Sequence, residues 1–266
     1  MTTSLSARGA VPALDVRTDG LKSFGANESI DTLVVAVFQG ANGLELAGGP
    51  GEVLTSQQEI ALWKLLTAVG AVGKKGEVTT VPGEVLSGGD ATGISDDAAS
   101  GPAVERILAV GLGDIEEVTD ETIREAAGVA ARSVKRPNNQ TDEEGESDAE
   151  STDHGAHVVS TLGMFGTEAA LVGHGLGAYS YFGQKSGSTA VERVTVLGHA
   201  GDDTKSAPEE IAKRAQILVE SVCFARDLVN APANELYPES YATIAAEQAK
   251  EFGIEAEILD EKQLEE

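Results

Sequence analysis

Ala225-Arg226-Asp227-Leu228-Val229-Asn230-Ala231-Pro232-Ala233-Asn234-Glu235-Leu236-Tyr237-Pro238 is where one regular segment stops and another begins. Upstream, Pro208 suits the first turn of a helix, and Glu209 and Glu210 follow it against the helix dipole. Ile211, Ala215, Leu218, Val222, Ala225 and Val229 then recur at spacings of four and three, which predicts a long helix with one apolar stripe. Pro232 prevents that helix from continuing. Pro238 opens another, with Tyr241, Ile244, Ala245 and Phe252 on one side, and Gly253 suits the position just past its end. Ile254 to Leu259 alternates as a short strand would, and Asp260 with Gln263 forms a variant of the capping box. The quoted stretch therefore divides the chain. One long helix ends there and a second unit starts.

Upstream of the linker, apolar runs alternate with helical periodicity. Leu33-Val34-Val35-Ala36-Val37-Phe38 is a continuous β-branched-rich run and predicts a buried strand. Ser56 is placed to cap a helix over Gln57 to Leu66, bounded by Gly70 and Gly73. Lys74 to Leu86 predicts a strand-turn-strand hairpin with Pro82-Gly83 at its turn. Ser87 to Pro102 is small and polar, a surface loop. Val104 to Gly113 predicts a second strand ending in glycines. Thr119 or Asp120 then caps a helix from Glu121 to Val134, with Ile123, Ala127, Ala130 and Val134 on one face. His157 to Phe165 predicts a third strand and Val191 to Leu197 a fourth. Between them a helix starts at Thr167 and Glu168 and runs through Tyr181-Phe182. This alternation implies α/β layering.

Arg136 to Asp153 holds seven acids, one base and no large apolar residue. Such a segment cannot bury enough surface to offset its ordering entropy, which predicts a disordered insertion.

Composition removes several classes of function. The net charge is −25, from 44 acids against 19 bases. A surface of that sign argues against nucleic acid, whose affinity comes from clustered Lys and Arg. Lys74-Lys75 is too small a patch to change this. No segment approaches eighteen uninterrupted apolar residues, and Met1 to Arg8 lacks an apolar core of signal-peptide length, so the expectation is a cytoplasmic protein without a membrane partner. Cys223 is the only cysteine. It precludes an internal disulfide and predicts a small packed hydrophobe rather than a reactive thiol.

The residues that carry chemistry do not form a recognisable set. His154 and His157 flank the acidic insertion but lack a third ligand for a metal. His174 lies in a predicted helix and His199 ends a strand, neither with an obvious partner. Gly173-His174-Gly175-Leu176-Gly177 has the wrong spacing and position for a dinucleotide fingerprint, and close helix packing explains it better. Gly111-Leu112-Gly113-Asp114 follows a strand, where a backbone nest would hold an anion, although a plain strand-ending turn is the simpler account. No G-x-S-x-G elbow, H-E-x-x-H motif or Walker loop occurs. The expectation is no catalytic, metal-binding or cofactor-binding residue in this chain.

Three stretches carry a resemblance. The run from Arg226 to Pro238 resembles the junction RDLVNxPxNxxxP of the leucyl aminopeptidase (cytosol aminopeptidase) family. Arg106 to Gly113 resembles its strand ending in GLG, and Gly173 to Phe182 its helix of type EGxxLxxYxF. The resemblance spans roughly residues 30 to 266. It implies a macro-like mixed-sheet α/β domain over 1–200 with flanking helices, in which 136–153 is a local elaboration. A linker helix over 206–230 follows, and 231–266 begins a truncated second α/β domain, the catalytic one. Members of that family are hexameric metallo-exopeptidases that release N-terminal amino acids from peptides, using two divalent metals, manganese or zinc. Their ligand runs, of types KGITFDSGG and NTDAEGR, are absent here. The resemblance thus implies membership without activity, a scaffolding and oligomer role, and a missing catalytic domain as partner. The alternatives are a free-standing macro-like module for a nucleotide-like ligand and a DNA-binding regulator.

Overall fold

The computed structural model describes residues 10–25, 28–47, 53–87, 102–134, 155–181, 190–198 and 207–264. The acidic insertion, most of the predicted loop after Ser87, His154, Phe182 and His199 lie outside them.

Seven strands form one mixed sheet: β1 (Ala13–Arg17), β2 (Ser29–Gly40), β3 (Gly43–Leu46), β4 (Val78–Pro82), β5 (Ala103–Gly111), β6 (Ala156–Ser160) and β7 (Val191–Leu197). Their order is β1-β7-β6-β2-β5-β4, parallel from β1 through β5, with β4 antiparallel to β5. β3 folds back antiparallel on the end of β2. The apolar run of β2 is central because both its faces are covered. Val34, Ala36 and Phe38 enter one core, and Leu33, Val35 and Val37 enter the other. That is why it reads as a continuous apolar stretch.

Helices cover both faces. On the Leu33 side lies α1 (Ser56–Ala68), whose Leu62 and Leu66 are fully buried. On the Val34 side lie α2 (Asp120–Ser133), α3 (Gly163–Gly177) and α4 (Pro208–Asn230). Beyond α4 come α5 (Pro238–Glu251) and the short α6 (Glu261–Leu264). Thr119 caps α2 reciprocally with Thr122. Asp260 and Gln263 exchange the two hydrogen bonds of a capping box at 2.9 Å each. Gly253 has φ +71° past the end of α5, and Ile254 N–H reaches back to the Ala249 carbonyl at 2.8 Å, closing a Schellman motif.

Six expectations are corrected. Thr55, not Ser56, caps α1, because its hydroxyl and the Gln58 side chain satisfy each other's backbone amides. The predicted hairpin has only one strand. Gly83–Ser87 is a 3₁₀ turn, tucked under α1 by the bond from Gln58 Nε2 to the Leu86 carbonyl at 2.8 Å. The third strand stops at Ser160, since the chain turns at Thr161 and Phe165 packs edge-on against Phe38, 5.3 Å between ring centres. The following helix ends at Gly177, short of Tyr181. In α4 the buried face is Ile211, Ala215, Val219, Cys223 and Asp227, while Leu218 and Val229 are exposed. Residues 254–259 form no strand and join no described sheet.

Candidate functional site

Among the described residues no three of His, Cys, Asp and Glu come together as a metal site would require. His157 stands on β6, where its Nε2 meets Thr195 Oγ1 at 2.9 Å and its ring packs against Phe24. Burial first, then the nearby Arg193, lowers its pKa. His174 lies in α3, on the other side of the sheet, fully buried and without a hydrogen-bond partner at either ring nitrogen. Burial pushes it down to about 3. Among the described residues the donor set does not fit a two-metal centre.

Three of the amides in the turn from Gly111 to Asp114 are already committed, so it does not form an anion-binding nest. Gly111 N–H donates to the Glu77 carbonyl at 2.8 Å, Leu112 N–H to Val37 at 2.9 Å and Gly113 N–H to Gly73 at 3.0 Å. Asp114 turns its carboxylate onto Glu116 N–H, 2.9 Å away. The glycines of α3 serve packing, as expected. A Cβ on Gly177 would sit 2.6 Å from the Gly128 carbonyl oxygen, and one on Gly173 would sit 2.7 Å from Ala127 Cβ, so α2 and α3 are in backbone contact.

What the structure does assemble is the seam between α3 and α4. Arg214 forks onto Glu168, with Nε to Oε1 at 2.9 Å and a second nitrogen to Oε2 at 2.6 Å. Arg226 donates to the Leu176 carbonyl at 3.0 Å and stacks its guanidinium over Tyr179. Tyr179 Oη donates to Asp227 Oδ1 at 2.9 Å, and Asn230 Nδ2 donates to Tyr179 Oη at 3.0 Å. Burial, opposed by the Asn230 amide and joined by the Asp227 carboxylate, raises the Tyr179 phenol to about 12. Gln216 reaches the sheet edge, accepting from Leu14 N–H at 2.9 Å. Cys223 is packed inside, and burial pushes its thiol up.

Two motifs that sequence reasoning treated separately, Gly173 to Phe182 and Arg226 to Pro238, therefore share one hydrogen-bonded cluster at Tyr179. The only local signal for it was Asp227 in the middle of an apolar stripe. A buried carboxylate implies a donor, but the donor lies 48 residues away in sequence.

This arrangement is a layered α/β unit with a long helix locked to its flank by polar contacts. Residues 34–163 match the Cytosol aminopeptidase family, N-terminal domain. The chain is 40% identical over 264 residues to a probable cytosol aminopeptidase of Corynebacterium diphtheriae, covering 98% of this chain and 45% of that protein. A probable cytosol aminopeptidase of Streptomyces griseus is 32% identical, with 95% of this chain and 46% of that protein covered. A solved tomato leucine aminopeptidase mutant superposes with a TM-score of 0.60 at 18% identity, over 97% of this chain and 47% of that one. The bottromycin maturation enzyme BotP gives 0.53 at 23% identity, over 85% and 38%. The chain belongs to the cytosol (leucyl) aminopeptidase family and corresponds to the N-terminal portion of its members. It spans less than half the length of the curated relatives it matches.

Proposed function

We propose that this chain is the non-catalytic N-terminal part of a metal-dependent aminopeptidase, and that it scaffolds a catalytic part rather than cleaving peptides itself. The observation that carries this reading is the match to aminopeptidases over 98% of this chain but 45% of the relative. The α3–α4 seam supports the mechanical side. Four separate polar contacts hold α4 against α3 and the segment after it, and residues 231–264 continue from the end of α4. In this reading 1–200 is the scaffold domain, 206–230 the linker and 231–266 the start of the catalytic domain. The two divalent metals, manganese or zinc, belong to the catalytic part, and a related structure, BotP, was solved in complex with Mn. The assembled enzyme is a cytoplasmic homo-hexamer acting on peptide N-termini. No described helix is long and apolar enough to cross a membrane.

The test is hydrolysis of leucyl-p-nitroanilide by the purified chain with manganese or zinc added. The expected result is no turnover above the protein-free blank. Metal-dependent turnover in material free of host peptidase would overturn the proposal.

A further inference from the structure

Four of the chain's 19 basic side chains line one cleft of about 540 Å³ between α2, α3 and α4: Lys75, Arg124, Arg132 and Arg226. A convergence of cations on a chain of net charge −25 runs against its background field. The carboxylates at the same cleft are Glu121, which pairs with Arg124, and Glu125, which pairs with Lys75 at 2.7 Å. Both are more than half exposed, so these pairs are worth little and an incoming anion can replace either carboxylate. Arg226 commits one nitrogen to the Leu176 carbonyl and keeps its remaining donors. Arg132 lies beside Gly128, where an added methyl would meet its guanidinium at 3.3 Å, and pairs with no described carboxylate.

Helix contact explains why these groups converge. Gly173 and Gly177 let α3 approach the backbone of α2 closely, so arginines from α2 and α4 flank one shallow depression. Planar guanidinium forks match the oxygens of carboxylates and phosphates better than they match a monatomic anion. We infer that the cleft between α2, α3 and α4 binds a small polyanion through phosphate or carboxylate groups, with Arg132 and Arg124 as its principal anchors.

The experiment is calorimetric titration of the full chain with inorganic pyrophosphate and, separately, with citrate, at low ionic strength with chloride as the background anion. Saturable one-site binding is expected for at least one probe, and which one binds identifies the preferred group. Arg132→Gln should weaken it tenfold or more, whereas Lys213→Gln, on the exposed face of α4, should leave it unchanged. Thermal melts of both variants confirm that they are folded. A double variant, Arg124→Gln with Arg132→Gln, should abolish binding. Absence of saturable binding of either probe up to millimolar concentration would overturn the inference. So would equal affinity in Arg132→Gln and Lys213→Gln.

Discussion

His174 is held inside α3 with two ring nitrogens and no partner for either. An unmet buried polar group costs about 1–3 kcal/mol, so His174→Leu should raise stability by about that amount, read as an increased melting temperature. The gain should depend on pH, with a fixed sign. The folded state holds His174 neutral down to about pH 3, while the unfolded chain takes up a proton near 6.5. Between those values the unfolded state binds more protons, so this residue's contribution is complete above about 6.5 and is lost as pH falls toward 3. Each pH unit in that window is worth at most about 1.4 kcal/mol. The melting-temperature gap between His174→Leu and the parent should therefore widen from pH 7 to pH 4. A constant gap would mean that a hydrogen-bond partner stabilises the imidazolium. The burial of His174 was not legible in sequence, because its glycine neighbours conceal the helix face on which it lies. Cys223 was legible, since a small thiol among apolar neighbours packs like any small hydrophobe.

At the level of elements, the α2–α3 contact sets two effects against each other. Alanine is the better helix former, so Gly173→Ala on its own would add roughly 1 kcal/mol. The new methyl would, however, press on the Arg124 carbonyl oxygen and lie 2.7 Å from Ala127 Cβ. Overpacking of this kind costs about 1–3 kcal/mol, and where the obstacle is backbone the upper end applies. Gly173→Ala should therefore be net destabilising by denaturant titration, and a stabilised variant would show that α2 can move away freely. Most elements were legible because local chemistry specifies them: the apolar run of β2, the Thr119 cap, Gly253 after α5. Those missed or shifted were decided by distant partners. β1 is a half-exposed edge strand whose place depends on β7, and β3 is a four-residue strand that follows a short turn at Asn42-Gly43 and is held by its pairing with β2. The α4 stripe was displaced because Leu218 and Val229 outweigh Asp227 in hydrophobicity, yet Asp227 has the Tyr179 phenol to receive it.

Taken whole, the molecule has two regions of unlike stability. Leu33 to Phe38 and Ile107 to Val110 lie in the centre of a sheet covered on both faces. Ile254, Ile258 and Leu259 are at least half exposed and have no described ladder. Hydrogen exchange should find fast amides across Ile254–Leu259 and slow ones across the two central strands. Similar protection in both regions would show that the terminal segment joins a sheet, in this chain or between copies. The ends of the sheet also differ. On the β1 side, Gln216 of α4 occupies the Leu14 amide and bonds the Pro12 carbonyl at 3.4 Å, while no described element pairs with the outer side of β4. Strand-to-strand growth needs two open ends, as a chain of links does. A copy adding to β1 would have to displace Gln216 from Leu14, whereas one adding to β4 would not, so two copies are expected to meet β4 to β4 about a twofold axis. A single glutamine thus biases which edge of the sheet lies open to a neighbouring copy.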